Sequence, residues 1–254
     1  MGRKEHTEAF ILRAVHYGER DIIATLLTPE WGKVSAVAKN ARSSKRFGGG
    51  LQLFRKVDAL LERRPDRDIN LFVEMQVVRD FRGIEKSYEK ITAGSYGTEL
   101  LRELSREGAP TEELFVLLEA FYAKLETHGD DVYRLETILH HFELRLLDYH
   151  GSTPSLWGCQ RCGLAHSEFE RLQCTRTGEG LLCSSCRRPG EAVGLIERDT
   201  LTALQYFDRP DGEVPEVLML PSVRQQARRV LDNSFRMILQ RELKSRPMLD
   251  TILP

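Results

Sequence analysis

Four of the five cysteines fall into two pairs, Cys159-x-x-Cys162 and, after 20 intervening residues, Cys183-x-x-Cys186. Thiolates at this spacing can wrap a tetrahedral Zn²⁺ from two short knuckles, with Zn–S bonds of about 2.3 Å. Gly163 directly follows the first pair, and Pro189-Gly190 lies just beyond the second, which suits tight ligand turns. Four thiolates close the coordination sphere, so the pattern points to one structural Zn²⁺ rather than a catalytic one. The segment between the pairs has few residues able to build a core. A bound metal replaces that core, with an apparent binding free energy of ~10–16 kcal/mol. The alternatives are reduced buried thiols or two disulfides, and disulfides need an oxidising compartment that nothing in the sequence indicates. Cys174 reads as a packed free thiol; His166, four residues after Cys162, could replace one ligand but is not the expected one.

Other reactive spacings are missing. His140-His141 lies in ETILHHFE, which is not the His-Glu-x-x-His order of a zinc hydrolase; one imidazole is expected to face solvent and the other a helix interface. There is no Gly-x-Ser-x-Gly elbow, and Gly48–Gly50 lacks the Lys-Ser/Thr of a phosphate loop. The expectation is a protein without catalytic residues.

Charge is unevenly distributed. The 254 residues carry a formal net charge of −1, but residues 1–79 hold 15 Lys/Arg against 10 Asp/Glu and the remainder 22 against 28. Such a split suggests that the N-terminal part meets a polyanion. Within it, residues 39–50 carry Lys39, Arg42, Lys45 and Arg46 with no acid. The longest uninterrupted apolar run, Leu114 to Leu118, cannot span a bilayer, so no membrane association is expected. Residues 1–10 mix charges and lead into no apolar stretch, which predicts a cytoplasmic protein.

The elements that position these groups follow from periodicity. Residues 7–16, 21–28, 33–39, 56–63 and 69–78 read as strands separated by turns. Five short strands in about 75 residues predict a small closed barrel, with an OB-fold as the natural candidate. From residue 84 the period changes to 3.6. One helix is expected over about 85–106, although Gly94 and Gly97 weaken it. Another carries Leu114, Leu117, Leu118, Phe121, Tyr122 and Leu125 behind Thr111 as N-cap. A third carries Leu135, Ile138, Leu139, Phe142 and Leu146, and the last runs from Val223 to Leu239 with Ser222 as cap. The fold class is therefore α+β and multidomain. An OB-fold domain occupies 1–80 and a helical domain 81–156 plus 191–254, with a zinc-ribbon-like element of four cysteines inserted at 157–190.

An OB-fold binds nucleic acid through its strand-two/three face and the loops joining strands one–two and four–five. Here the second of these loops brings Arg63, Arg64 and Arg67, and Lys33, Lys39, Arg42, Lys45, Arg46, Arg55 and Lys56 extend a basic track beside it. These cations would neutralise phosphates without reading sequence. Tyr17, Trp31 and Phe47 are candidates to stack bases. The final helix is basic as well. Arg224, Arg228, Arg229 and Arg236 read as a solvated face, or else as a second contact for DNA or an acidic partner tail.

The stretch AFILRAVHYGERDIIATLLTPEWGKVSAVAKNAR, followed by Leu51-Gln52-Leu53-Phe54, resembles the start of the RecO family of bacterial recombination mediators. The Tyr17-Gly18-Glu19 turn and Thr28-Pro29-Glu30-x-Gly32 are its most specific parts, and RELKSRPML (241–249) is similar to the family's closing segment. Asn40 stands where the family's small residue, often Gly, is expected. The resemblance implies a non-catalytic factor of DNA repair in the RecFOR pathway, located in the cytoplasm with the nucleoid. It would bind ssDNA and dsDNA, anneal complementary strands, and work with RecR and the single-strand-binding protein (SSB) to load RecA. The competing expectation is a zinc-containing protein–protein adaptor with incidental nucleic-acid binding.

Overall fold

The computed structural model describes residues 3–47, 51–63, 69–128 and 130–253. Its first strands are β1 (Arg3–Tyr17), β2 (Asp21–Thr28), β3 (Gly32–Ala38), β4 (Arg55–Arg63) and β5 (Asn70–Asp80). They close into a barrel of order β1-β2-β3-β5-β4, the OB-fold topology expected from the strand spacing. One long strand serves both halves: Arg3–Phe10 of β1 pairs with β4 and Phe10–Tyr17 with β2. A register shift between Ile11 and Arg13 bends it there, the usual role of an extra residue in an antiparallel pair. The barrel is closed by a short parallel contact, Ala36–Ala38 of β3 against Asn70–Phe72 of β5. Small and branched side chains fill it, among them Ala9, Ile11, Leu26, Ala36, Val57 and Leu61.

The chain divides into two compact units, residues 1–127 and 128–254. In the first, α1 (Tyr88–Leu104) and α2 (Glu112–His128) follow the barrel. The rings of Phe10, Phe54 and Phe81 gather around buried Tyr122, whose hydroxyl lies 2.6 Å from Thr98 Oγ1, and Phe115 packs on Phe10. Gly94, a liability for an isolated helix, has a packing reason. A Cβ there would stand 2.7 Å from the ring of Phe54, so only glycine lets the helix approach. Thr111 does not cap α2 as expected. Its carbonyl accepts from Phe115 N, but its hydroxyl is buried with no hydrogen-bond partner among the described residues.

The second unit contains α3 (Val132–Tyr149), α4 (Arg198–Asp208), α5 (Pro221–Ile238) and α6 (Arg246–Ile252), with the cysteine segment between α3 and α4. That segment includes two three-residue strands, β6 (Gln173–Thr175) and β7 (Val193–Leu195). Asp131 caps α3 by accepting from the amides of Tyr133 and Arg134. α5 starts two residues earlier than the sequence suggests: Leu220 is its N-cap and Pro221 its first residue, where a missing N–H costs nothing. Ser222 is therefore inside the helix. His140 is buried between Glu136 and Glu143, and Arg224 of α5 reaches Glu136 at 3.3 Å. His141 is half-buried, its Nδ1 3.1 Å from the Phe207 carbonyl oxygen, so neither imidazole stands free in solvent. Among the described residues, no helix is long and apolar enough to cross a membrane.

Candidate metal centre and nucleic-acid interface

The sulfurs of Cys159, Cys162, Cys183 and Cys186 all lie within 4.8 Å of one another, and Cys162 Sγ is 3.8 Å from Cys183 Sγ. A ZnS₄ tetrahedron with ~2.3 Å bonds has edges of about 3.8 Å, so the donor set fits this ion in size as well as in softness. The backbone builds each knuckle. Gly163 N–H donates to the Cys159 carbonyl at 2.8 Å, and Cys186 N–H to the Cys183 carbonyl at 3.1 Å. Arg161 adds a clamp across the pair of knuckles, donating to the Cys186 carbonyl and to both oxygens of Glu191.

The thiols titrate as a crowd. Burial opposes ionisation of Cys159, but the amides of Cys183, Arg161 and Cys162 outweigh it and lower its pKa to about 6. The neighbouring thiols of Cys162 and Cys183 push Cys186 up to about 12. Sulfurs this close cannot all be anionic unless a cation lies among them. His166 is not part of the cluster and packs edge-on to Trp157, with ring centroids 6.5 Å apart. Cys174 on β6 is 4% exposed and burial raises its thiol to about 12, the inert packed thiol expected from the sequence.

The cysteine segment is joined to α5 by backbone contact. Gly178 has φ +78°, and a Cβ there would meet Ser234 Cα at 2.4 Å; Ser234 Oγ donates to the Gly178 carbonyl at 2.7 Å. Gly178→Ala is expected to cost more than about 1 kcal/mol from the left-handed backbone alone, and further for separating the surfaces. Thermal melts should show the loss while zinc stoichiometry stays unchanged, because no ligand is touched. An unchanged melt would mean that this contact holds nothing.

The structure sorts the expected basic track in the first unit. Lys33 Nζ donates to the Arg102 carbonyl at 2.8 Å. Lys39 pairs with Asp21 at 2.6 Å, and this bond, with the Asn40 amide, holds the Asp21 carboxyl below its ordinary range. Asn40 has φ +54°, which explains why a glycine-like position is occupied by the side chain that best tolerates that region. Arg42 ties the loop to the β1–β2 turn through the carbonyls of Glu19 and Arg20. Lys45 and Arg46 are exposed on a 3₁₀ turn, with no ion-pair partner among the described residues. Arg55 and Lys56 are not on a free surface: Arg55 faces Asp80 and Glu85, and Lys56 bridges Glu8 and Glu119. Arg63 is exposed, its guanidinium 4.9 Å from the ring centre of half-buried Trp31. Arg64 and Arg67 lie outside the described residues.

Of the aromatic candidates, Tyr17 stands 58% exposed at the hairpin end. Phe47 is the correction. It is 2% exposed and packs edge-on to Phe72 inside the barrel, because a lone ring among cations gains more from the core than from water. The final helix is corrected likewise. Arg224 and Arg228 are buried, the first on Glu136 and the second on Asp250 and the Leu253 carbonyl, which leaves Arg229 and Arg236 exposed. Asp21, which positions the loop, escaped the sequence reading; Asn40 was singled out there only as a departure from the family's small residue, and that departure was the available signal.

Comparison with known proteins agrees with this architecture. Residues 1–81 match the family model "Recombination protein O N terminal", and residues 85–247 match "Recombination protein O C terminal". The chain is 36% identical to DNA repair protein RecO of Anaeromyxobacter sp. (strain K), covering 96% of this chain and 95% of that one. It is 33% identical to DNA repair protein RecO of Syntrophus aciditrophicus (97% and 95% covered) and 32% identical to that of Geobacter metallireducens (98% of each). With an OB barrel, a helical unit and a clustered four-cysteine element under matches that span nearly its full length, the chain belongs to the RecO family of DNA repair proteins.

Proposed function

We propose that the protein is a recombination mediator without catalytic activity of its own. It binds ssDNA and dsDNA, anneals complementary strands and, with RecR, helps load RecA onto ssDNA coated by SSB. One Zn²⁺ held by Cys159, Cys162, Cys183 and Cys186 serves structure. The observation that carries the DNA-binding part is the edge of the barrel where Arg42 joins the basic loop to the Tyr17 hairpin and Lys45 and Arg46 are exposed with no ion-pair partner among the described residues. Cations there hold phosphates, and an exposed ring stacks on any base, which gives binding tolerant of sequence. Annealing follows if strands are held by their backbones with base edges left open.

Fluorescence anisotropy on a single-stranded oligonucleotide across a salt series tests this reading. With about six phosphates neutralised, the log–log slope should be roughly −4. Replacing Lys45 and Arg46 together by Gln should make it shallower by about 1.4. No binding, or a slope that the double variant leaves unchanged, would overturn the assignment of this track.

A further inference from the structure

A cavity of about 290 Å³ opens on the outer face of the sheet formed by β1, β4 and β5, away from the β2–β3 surface through which OB-folds usually bind. Alternation makes its floor. Val57, Ala59 and Leu61 point into the barrel, so Asp58 and Leu60 point out. Leu60 is in register with His6 on β1 and Glu74 on β5, and Asp58 with Gln76. The wall is the 3₁₀ turn carrying Lys45 and Arg46.

The cavity thus holds cations and carboxylates that leave space between them. Lys45 and Arg46 share it with Asp58 and Glu74, yet no ion pair joins them among the described residues. Asp58 instead faces His6, whose Nδ1 is 3.2 Å from both its oxygens. Oppositely charged groups on either side of the Leu60 side chain suit a ligand that is anionic at one end and a hydrogen-bond donor at the other, with a flat body between. A nucleotide has that chemistry. The volume of about 290 Å³ falls just below the roughly 300–1,000 Å³ range of small-ligand sites, room for one base and its sugar but not a base pair.

We infer that this cavity is a subsite for one unstacked nucleotide of a single strand, selecting a base that carries an exocyclic amino group. The inference rests on the DNA-binding reading above. Lys45 and Arg46 hold the phosphate at the rim, and the base lies over Leu60. The Glu74 carboxylate, which accepts and cannot donate, takes a hydrogen bond from the amino group. Cytosine N4 and adenine N6 donate, whereas thymine presents its O4 acceptor to the same carboxylate. The basic loop supplies the route, since Arg42 lies at the β1–β2 turn and Lys45 and Arg46 reach the outer sheet.

The test compares the affinity of the zinc-loaded full chain for oligo-dC and oligo-dT of equal length at one salt concentration. Wild type should prefer oligo-dC by about three- to tenfold, the worth of one added polar contact. Glu74→Gln should bring the ratio to about one without weakening oligo-dT binding. Lys45→Gln with Arg46→Gln should weaken both equally. Thermal melts verify that each variant is folded, which the exposure of these residues favours. Equal wild-type affinities, or a preference that Glu74→Gln leaves intact, would overturn the inference while the DNA-binding reading stands. Failure to bind either oligonucleotide would overturn both. A surface that serves a peptide instead would give the first of these failures.

Discussion

Cys183→Ser is expected to abolish zinc retention and the folding transition of the second unit, while the barrel's transition survives. Cys183 is a buried member of the donor set, its Sγ 3.8 Å from that of Cys162, and its amide faces Cys159 Sγ at 3.5 Å. A serine hydroxyl is a poor zinc ligand, and three sulfurs hold the ion far less well than four. The apparent binding free energy of such a site, ~10–16 kcal/mol, is comparable to the whole stability of an ordinary domain, ~5–15 kcal/mol. The effect should therefore spread from the cysteine element to α5, through Gly178 and Ser234. Zinc quantitation and a thermal melt followed by circular dichroism read both parts. Cys174→Ser is the contrast: it should keep one zinc and lose only about 1–3 kcal/mol, the cost of a hydroxyl in an apolar niche. Full zinc occupancy in Cys183→Ser would refute the metal centre.

The second large effect belongs to the buried charges of the helical unit. Arg224→Ala should destabilise it by about 3–5 kcal/mol, because Glu136 would keep a buried charge with, among the described residues, His140 as its remaining ion-pair partner. The same cluster gives a pH dependence of definite sign. Burial alone would lower the His140 pKa, but the carboxylates of Glu143 and Glu136 outweigh it and raise it from 6.5 to about 9. The groups facing this imidazole are those two carboxylates from α3 and the ring of Phe207 from α4, with Arg224 of α5 acting through Glu136. A raised folded-state pKa means that the native state binds the proton more tightly than the unfolded chain. Its contribution is complete below about pH 6.5 and is lost as pH rises through about 9, with a total near 3 kcal/mol. Denaturant melts of zinc-loaded protein should show this decline, and His140→Gln should flatten it. A wild-type stability that stays level from pH 6.5 to 9 would show that His140 is neutral in the fold.

Local signals made much of this legible in advance. Strand-forming composition and turn signals placed all five barrel strands to within a few residues, and β4 shows the alternation most plainly, burying Val57, Ala59 and Leu61. The cysteine spacing identified the donor set because two knuckles need nothing beyond their own few residues. What escaped depends on partners distant in sequence. Arg224 looks like a surface residue until Glu136, 88 positions away, is brought beside it. Phe47 looks like a surface ring because its neighbours are cations, while the wall that takes it, Phe72, lies on β5. The helix α4 was not anticipated. Its apolar stripe of Leu201, Leu204 and Phe207 spans under two turns, too little for periodicity alone to mark.

The stretch from Lys39 to Phe47 is fixed at both ends, by Asp21 and the β1–β2 turn at Asn40 and Arg42, and by Phe47 in the barrel core. Its conformational entropy is lost once, when the barrel folds, and not again when a polyanion arrives. Capture of a strand should thus resemble docking onto a prepared surface: fast, dominated by charge at long range, and with little heat-capacity change beyond that of the bases buried.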